Sequence, residues 1–319
     1  MLHRTQTRIV AFSITLLTGS GWILFLLAGR QTSRAFAGSS PVRLVRASQV
    51  SLPGSSCNWT LPTLAIQARV TPVSTKYPLS DQSNSGNWIA YPALSDEFNG
   101  RTLDGTKWKP TISGWSGRQP GLTVPQNVSE SNGTLNLRMV HQNVPASFLN
   151  AGYRNYTAPA VESLKTVRYG YFEVRAKAMP SGASSAFWLS AQTPSDWNEI
   201  DVFEMGGKAP ANPHQVFTTV HVFRVQGQSQ IWSKAGVTSV PQSVASDFHV
   251  YGLDWNPSSI DMYVDGQQIR HICNTNWTMP LNMIFDAETV PEWWGLPRYS
   301  DLPSTYQVDY VRVWQHAVH

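Results

Sequence analysis

The chain has 319 residues, and only 14% of them are charged, against about 25% in an average globular domain. Its formal charge of +4 comes from four arginines in residues 1–37, a segment without acids, so the rest of the chain is neutral. The sequence pI of about 9.1 is therefore no indication of nucleic-acid binding, and we expect no nucleic-acid partner. Two cysteines are too few for a disulfide scaffold or a cysteine zinc site.

The N-terminal segment, residues 1–37, is typical of a secretory signal peptide. Two arginines precede the apolar stretch from Ile9 to Gly29, and Ala35-Phe36-Ala37 offers the small residues that a signal peptidase requires. The apolar run is longer than the ~7–15 residues of an ordinary signal core, and about 20 apolar residues suffice to span a bilayer. An uncleaved membrane anchor over residues 9–29 is therefore the alternative. We expect a secreted protein in the first case and a membrane-anchored one in the second.

Residues 38–86 are rich in Ser, Thr and Pro and show no sustained periodicity, which predicts a linker or a loosely packed extension. Cys57 lies in this segment, and the other cysteine is Cys273. In an exported protein the two can pair and tie the extension to the main domain, provided that their Cα atoms come within about 7 Å. The sequence leaves this pairing open.

Residues 87–316 show a period of two almost throughout, which predicts strands with one buried face. The alternation is clear from Tyr171 to Ala178 and from Ile260 to Val264, after which Asp265-Gly266 supplies a two-residue hairpin turn. The last predicted strand runs from Tyr306 to Trp314. The segment has no convincing helical stripe, so we predict one large all-β domain, either a two-sheet sandwich or a jelly roll.

Three carboxylates lie within six residues, at Glu199, Asp201 and Glu204, in an otherwise apolar segment. Like charges this close raise one another's pKa, so a fold keeps them on a half-buried strand mainly where their proton affinities are used. In a regular strand Glu199 and Asp201 share a face and Glu204 points away. A one-residue bulge near Val202-Phe203 restores Glu204 to that face, and bulges are common beside active sites.

Two glutamates in this arrangement suit glycoside hydrolysis. Carboxyl groups about 5–5.5 Å apart serve a retaining mechanism, whereas a gap of about 6.5–9.5 Å leaves room for the water of an inverting mechanism. The structural alternative is a solvated acidic edge strand. Trp188 and Trp197 favour the enzymatic interpretation, because flat aromatic faces beside paired carboxylates suit a sugar ring.

The segment from Trp197 to Glu204 resembles the signature of family 16 of the glycoside hydrolases, in its Glu-x-Asp-x-x-Glu form that carries a β-bulge. Other similarities follow in the family's order: Asp96 to Gly100 resembles the first strand, Tyr169 to Lys177 the strand before the site, and Phe248 to Gly266 the hairpin after it. The resemblance covers about residues 86–316. It implies a β-jelly-roll sandwich of two antiparallel sheets with an open substrate cleft on the concave face.

The resemblance implies that Glu199 is the nucleophile, Glu204 the general acid/base, and Asp201 an assistant that tunes their protonation. Glu204 is then expected to have the higher pKa of the two glutamates. No cofactor is implied, although the family often carries a structural calcium on the convex face, to which Glu97 or Asp309 are candidate ligands. A polysaccharide is the expected partner of a monomeric protein.

Several motifs resemble the agarase and porphyranase branch of the family. They are Trp115 to Pro120, Asn127 to Leu135, Ser184 to Leu189 and Asp286 to Thr289. The laminarinase branch usually has a Trp-Pro element ahead of the signature, where this chain has Asp196-Trp197-Asn198. The resemblance therefore implies endo-cleavage of β-linkages in an algal galactan such as agarose or porphyran.

Seven further residues are candidates for substrate binding: Trp115, Arg118, Trp188, Trp197, His221, Glu288 and Trp294. Each has a structural alternative, because tryptophans in a jelly roll often belong to the core and a strand histidine is often a satisfied structural residue. Arg118 suits a sulfate or sugar hydroxyls, and Glu288 suits sugar hydroxyls or a surface loop.

Alternative functions stay open at this point. Within the family they are a laminarinase-like β-1,3-glucanase and a transglycosylase, in which a sugar hydroxyl replaces water. A non-catalytic carbohydrate-binding jelly roll is the alternative from another class. Such a protein would keep the aromatic residues and lose the carboxylates, whereas this chain retains Glu199, Asp201 and Glu204.

Overall fold

The structure, a computed structural model, describes residues 74–209, 212–224 and 232–317. The predicted signal peptide or anchor, Cys57 and most of the predicted extension lie outside the described residues. Within the described part of the chain, no helix is long and apolar enough to cross a membrane.

The described residues form strands almost exclusively, as the period of two predicts. The strands are β1 (Trp88–Ala90), β2 (Trp108–Lys109), β3 (Gly121–Thr123), β4 (Val128–Ser131), β5 (Thr134–His141), β6 (Tyr156–Ala158), β7 (Ala160–Val167), β8 (Gly170–Lys177), β9 (Ser184–Gln192), β10 (Trp197–Gly206), β11 (Gln215–Arg224), β12 (Trp232–Ser239), β13 (His249–Trp255), β14 (Ser259–Val264), β15 (Gln267–Cys273), β16 (Leu281–Asp286) and β17 (Ser304–His316). The helical elements are the one-turn helix α1 (Pro291–Trp294) and short 3₁₀ turns at Leu79–Asp81, Pro125–Asn127, Ala146–Ala151 and Tyr299–Asp301.

The strands make two sheets. The ten-strand sheet has the order β15-β14-β13-β8-β17-β5-β6-β3, with β1 pairing with β17 and β4 with β5. The seven-strand sheet has the order β12-β11-β10-β9-β16-β7-β2. Neighbouring strands are antiparallel, apart from the parallel pair β3 and β6. The predicted all-β jelly-roll sandwich is confirmed.

The hydrophobic core lies between the two sheets. Alternate residues of β8, such as Phe172, Val174 and Ala176, are fully buried in it, as the pattern from Tyr171 to Ala178 predicts. The predicted hairpin turn between β14 and β15 is also present, with positive φ at both Asp265 and Gly266. A turn of this kind matches the right-handed twist of the strands that it connects.

The end of the predicted extension belongs to the folded domain. Leu79 is buried, and its backbone N–H donates to Oε2 of Glu173 at 2.6 Å. The indole N–H of Trp314 donates to the carbonyl of Lys76 at 2.9 Å. A buried carboxylate needs hydrogen-bond donors, and the backbone N–H of Leu79 is one of the donors to Glu173 of β8. This hydrogen bond fixes the chain around Leu79 against the ten-strand sheet. Lys76 and Leu79, at the end of the predicted extension, therefore contact the ten-strand sheet.

Cys273 ends β15, is buried, and is disulfide-bonded. Cys57, the other cysteine of the chain, lies outside the described residues.

Candidate active site

Strand β10 contains the bulge that the carboxylate spacing predicts. Asp201 pairs with Trp188 of β9, and Phe203 pairs with Phe187, so that Val202 is the extra residue between two paired positions. Val202 and Phe203 both belong to the hydrophobic core although they are adjacent in sequence. The bulge therefore shifts the in-and-out alternation of the strand by one residue.

The shift brings the three carboxylates to one face of the seven-strand sheet. Residues directly opposite each other in an antiparallel pair share a face. Across β11, Glu199 pairs with His221, Asp201 with Thr219, and Glu204 with Phe217. This shared face points away from the core, since Ile200 and Met205 of β10 are completely buried on the other side.

His221 lies against the first two carboxylates. Its Nε2 is 3.1 Å from Oδ2 of Asp201 and 4.0 Å from Oε1 of Glu199. Burial lowers the pKa of His221, although Glu199 and Glu204 act in the opposite direction. The histidine that the sequence placed on a strand after the signature is thus part of the carboxylate cluster.

The carboxylates share a poorly hydrated space. Burial, and then the charge of Asp201, raise the pKa of Glu199 well above its usual value. Burial and Glu288 raise the pKa of Asp201 to about 8, and burial and Asp201 raise that of Glu204 to about 8. Three like charges this close do not all ionise together, so the cluster holds protons at neutral pH and titrates as a unit. The expectation that Glu204 has the higher pKa of the two glutamates stays a prediction.

Arg118 and Glu288 form an ion pair next to this cluster. Burial opposes the charge of Arg118, but Glu288, Glu204 and Asp286 outweigh it and raise the pKa of the guanidinium. Arg118 in turn lowers the pKa of Glu204, against the stronger effects of burial and Asp201. Two residues separated by 170 positions therefore meet beside the carboxylate cluster, and both were candidates from the sequence.

Asp286 is a fifth carboxyl group at the site, after Glu199, Asp201, Glu204 and Glu288, and was not among the predicted site residues. It is 1% exposed, and its Oδ1 accepts a 3.0 Å hydrogen bond from the indole N–H of Trp188. Burial and Glu288 raise its pKa well above the usual value. Asp286 belongs to a motif that the sequence singled out, but its position beneath Trp188 depends on the pairing of β16 with β9.

The other predicted tryptophans fall into different environments. Trp197 is partly exposed and packs on Phe223 with ring centroids 4.4 Å apart, near the Glu199 end of the site. Trp115 is partly exposed in the loop before Arg118. Trp294 is only 6% exposed, whereas its neighbour Trp293 is 44% exposed. The structure therefore favours Trp293 over Trp294 as a ring that a ligand can reach.

Phe217 and Phe223 are further residues that the sequence analysis missed. Phe217 lies opposite Glu204 and contacts Trp293 and Trp294, with centroid distances of 6.3 and 5.8 Å. Phe223 stacks on His221 at 5.0 Å. Both have odd numbers, as His221 does, so on the regular strand β11 they lie on the face of the carboxylates once the register with β10 is known.

One group in the described part of the chain has the spacing of a metal site. Ligand atoms of Glu199, Asp201 and His221 lie within 4.8 Å of one another.

The predicted calcium ligands, Glu97 and Asp309, lie outside this group. Glu97 accepts two hydrogen bonds from Arg312, at 2.7 and 2.8 Å, and Asp309 accepts one from Arg175 at 2.6 Å. A guanidinium beside each carboxylate opposes a divalent cation, so neither Glu97 nor Asp309 fits a calcium site in this arrangement.

We expect chelation of calcium to leave the protein's stability unchanged. The charges of Glu97 and Asp309 are already compensated by arginines, so removal of divalent ions exposes no repulsion at these carboxylates. The measurement is the melting temperature in EDTA and in added calcium. A lower melting temperature in EDTA that calcium restores would contradict this expectation.

The carboxylate cluster should make stability fall with pH. Folding raises the pKa of Glu204 from about 4.3 in the unfolded chain to about 8, so the folded state binds the proton more tightly and loses stability as pH rises through this window. Glu204→Gln removes the titrating group. We expect the gain in melting temperature to be about 6–12 °C larger at pH 8 than at pH 5, which corresponds to about 3 kcal/mol of unfolding free energy. An equal change at both pH values would contradict the raised pKa.

Comparison with known proteins gives consistent matches. The chain matches the family described as "Beta-porphyranase A-D, GH16 domain" over residues 88–316. It is 30% identical over 261 residues to glucan endo-1,3-beta-glucosidase A1 of Niallia circulans, which covers 69% of this chain and only 37% of that enzyme. It is 28% identical over 251 residues to beta-porphyranase B of Zobellia galactanivorans, which covers 72% of this chain and 85% of that protein.

A solved structure shows the same fold. The crystal structure of porphyranase B from Zobellia galactanivorans superposes with a TM-score of 0.64 and 26% sequence identity, and the match covers 72% of this chain and 92% of that one. The superposable part thus corresponds to nearly the whole of the compared structure.

Proposed function

Because the chain belongs to family 16 of the glycoside hydrolases, we propose that it is a retaining endo-glycosidase that cleaves the β-linkages of an algal galactan. The observation that carries this proposal is the bulge in β10, which turns Glu199, Asp201 and Glu204 to one face. A binding module has no use for three mutually repelling carboxyl groups, whereas an acid/base reaction does.

The first step of the proposed reaction uses both glutamates. The Glu199 carboxylate attacks the anomeric carbon, and the bond to the leaving oxygen breaks as Glu204 gives that oxygen its proton. The product is an ester between Glu199 and the sugar. The raised pKa of Glu204, about 8, suits the acid role, and the attack uses the protonation state of the cluster in which Glu204 holds the proton and Glu199 is ionised.

Water completes the proposed cycle. It attacks the anomeric carbon of the ester and loses a proton to Glu204, which releases Glu199 and restores both groups. Two inversions give net retention, which NMR of the freshly formed reducing ends can measure. We assign Asp201 and His221, which are 3.1 Å apart beside Glu199, to the orientation and charge of that residue through this cycle. A first product of inverted configuration would contradict the retaining proposal.

An agarose-like or porphyran-like galactan is the proposed substrate. The matching family description and the similarity to beta-porphyranase B support it. The Arg118–Glu288 pair beside Glu204 supports it further. The guanidinium donates hydrogen bonds and the carboxylate accepts them, so the pair can bind a sugar hydroxyl in either role. A β-1,3-glucan is the second candidate, favoured by the 30% identity to a glucan endo-1,3-beta-glucosidase.

The experiment that tests the function is the release of reducing ends from agarose, porphyran, κ-carrageenan, laminarin and lichenan. We expect release from agarose or porphyran, with oligosaccharides of several lengths as the first products of endo-cleavage. Cleavage of laminarin alone would replace the galactan with the second candidate. Transfer to added sugar acceptors, without reducing-end release, would indicate a transglycosylase.

The N-terminal segment supports a proposal about location. Residues 1–37 have the features of a signal peptide, and a polysaccharide too large to enter a cell is cut outside it. We therefore propose that the enzyme is exported. Sequencing the N-terminus of the mature protein separates cleavage after residue 37 from an uncleaved anchor.

Trp197 is expected to contribute to substrate binding more than to turnover. Its ring is partly exposed and fixed against Phe223, so it offers a preorganised stacking surface near Glu199. We expect Trp197→Ala to raise KM about 3–10-fold and to change kcat little, because stacking stabilises the bound substrate and the transition state alike. Trp197→Phe, which keeps a ring, should lose less. A fall in kcat at unchanged KM would contradict this role.

A further inference from the structure

Arg270 is a buried arginine outside the carboxylate cluster. It lies on β15 of the ten-strand sheet and is 2% exposed. In the pairing of β14 with β15, Met262 faces Arg270 and Tyr263 faces Gln268, so Ile269 is an extra residue in a second bulge. Because Met262 points into the core, this bulge turns Arg270 into the core as well.

The Arg270 side chain reaches the opposite sheet. Its Nη1 donates to the carbonyl and to Oγ1 of Thr218 on β11, at 2.6 and 2.8 Å, and its Nη2 donates to the carbonyl of Lys234 on β12. Gly236, which pairs with Thr218, leaves the necessary room, since a Cβ there would lie 3.3 Å from Cζ of Arg270. The guanidinium is thus fitted closely against the core side of the seven-strand sheet.

The contact point lies opposite the carboxylate bulge. Asp201 pairs with Thr219 and Glu204 pairs with Phe217, so Thr218 is the single residue of β11 that faces the extra residue of β10. A bulge interrupts the ladder of backbone hydrogen bonds at this place. Arg270 therefore holds the backbone of β11 at a place where its ladder with β10 is interrupted.

Its charge lacks a direct counterion. No carboxylate among residues 74–209, 212–224 and 232–317 forms an ion pair with Arg270, although a buried, unpaired guanidinium is costly. Burial lowers the pKa of Arg270 to about 10, and the charge of Asp201 opposes this shift. In return, Arg270 lowers the pKa of Asp201 against the larger effects of burial and Glu288.

We propose that Arg270 is a positioning residue for the glycosidase reaction, which holds the strand opposite the carboxylate bulge and places a positive charge behind Asp201. The inference rests on the proposed function. Other charged or titratable groups also act on Asp201 or Arg270: Glu199 and Glu204 on β10, His221 on β11, Lys234 on β12, Glu288 after β16, and Arg118 in the loop before β3. Arg270 differs from Arg118 in acting from the core side, where substrate does not reach.

The test compares pH profiles of kcat/KM on a polysaccharide that the wild-type protein cleaves. Arg270→Gln removes the charge, so the carboxylates hold their protons more tightly, and the acidic limb should move up by about 0.5–1 pH unit. Arg270→Lys keeps a charge, and its acidic limb should stay within about 0.3 unit of the wild-type position. Thr218→Val, the matched control, removes one hydrogen bond of the guanidinium and should lower the melting temperature without moving the limb.

A purely structural role would give a different pattern. The proposal would be overturned if a folded Arg270→Gln protein kept the acidic limb of the wild-type pH profile. It would also be overturned if Thr218→Val moved that limb as far as Arg270→Gln does. If Arg270→Gln does not fold, Gly236→Ala provides the test, because its Cβ would lie 3.1 Å from Oγ1 of Thr218 and 3.3 Å from Cζ of Arg270, which disturbs the contact between these two side chains and keeps the charge. We expect a several-fold lower kcat at unchanged KM, and an unchanged kcat would overturn the positioning role. A wild-type protein that cleaves none of the polysaccharides contradicts the proposed function itself.

Discussion

Glu199→Gln is expected to lower kcat by at least about 10⁴-fold, because an amide cannot form the ester intermediate with the anomeric carbon. The substitution keeps the size of the side chain and removes one of the repelling charges beside Asp201 and Glu204. The variant should therefore fold, with a melting temperature at neutral pH no lower than that of the wild-type protein. The measurement is reducing-end release, together with binding of an oligosaccharide by calorimetry.

Rescue by a small external nucleophile shows whether a variant has lost only the catalytic carboxylate or its folded structure as well. Glu199→Gly opens a space beneath the anomeric carbon, into which azide can enter and attack in place of the carboxylate. We expect azide to restore turnover of an activated aryl glycoside and to form a glycosyl azide of inverted configuration. Glu97→Gln is a suitable control, since Glu97 pairs with Arg312 on the ten-strand sheet. Wild-type turnover in Glu199→Gln would remove Glu199 from the mechanism.

Glu204→Gln is expected to lower kcat on polysaccharide about 10²–10⁴-fold, because the leaving oxygen then departs without a proton. The loss should depend on the leaving group. An aryl glycoside whose phenol is a strong acid needs little protonation, so its first step should be nearly as fast in the variant as in the wild-type protein. A burst of released phenol followed by slow turnover would show that hydrolysis of the ester has become limiting.

The two glutamate variants are distinguished by this burst. Glu199→Gln cannot form the ester intermediate and should show no burst of phenol. Glu204→Gln should accumulate the ester and show the burst. An equal loss on natural and activated substrates in Glu204→Gln would contradict the general-acid role. The alkaline limb of the wild-type pH profile offers a second check, because loss of the Glu204 proton near its raised pKa of about 8 should end activity.

Short-range patterns in the sequence predicted both the all-β fold and the bulge in the carboxylate strand. The period of two in segments such as Tyr171 to Ala178 depends on the geometry of a single strand, so it predicted the all-β sandwich without knowledge of pairing. The spacing of Glu199, Asp201 and Glu204 likewise required a bulge near Val202-Phe203, and the structure contains it. Local parity is a property of consecutive residues, and for that reason it can be read from the chain alone.

Other features depended on contacts between distant strands. Whether a tryptophan is buried or exposed is set by its neighbours in space, and the pair Trp293 and Trp294 differs in this respect although the two are adjacent. The end of the predicted extension, around Leu79, is ordered because the buried carboxylate of Glu173 accepts its backbone N–H. Composition alone does not reveal such a partner.

The sequence by itself determined the strand-forming character of residues 87–316, the bulged carboxylate strand and the resemblance to family 16. Only the tertiary structure placed Asp286 under Trp188, Phe217 opposite Glu204 and Arg270 behind Thr218. The physical reason is that side-chain alternation follows from the backbone of one strand, whereas strand order, register and the reach of a side chain across the core follow from packing between segments far apart in the chain.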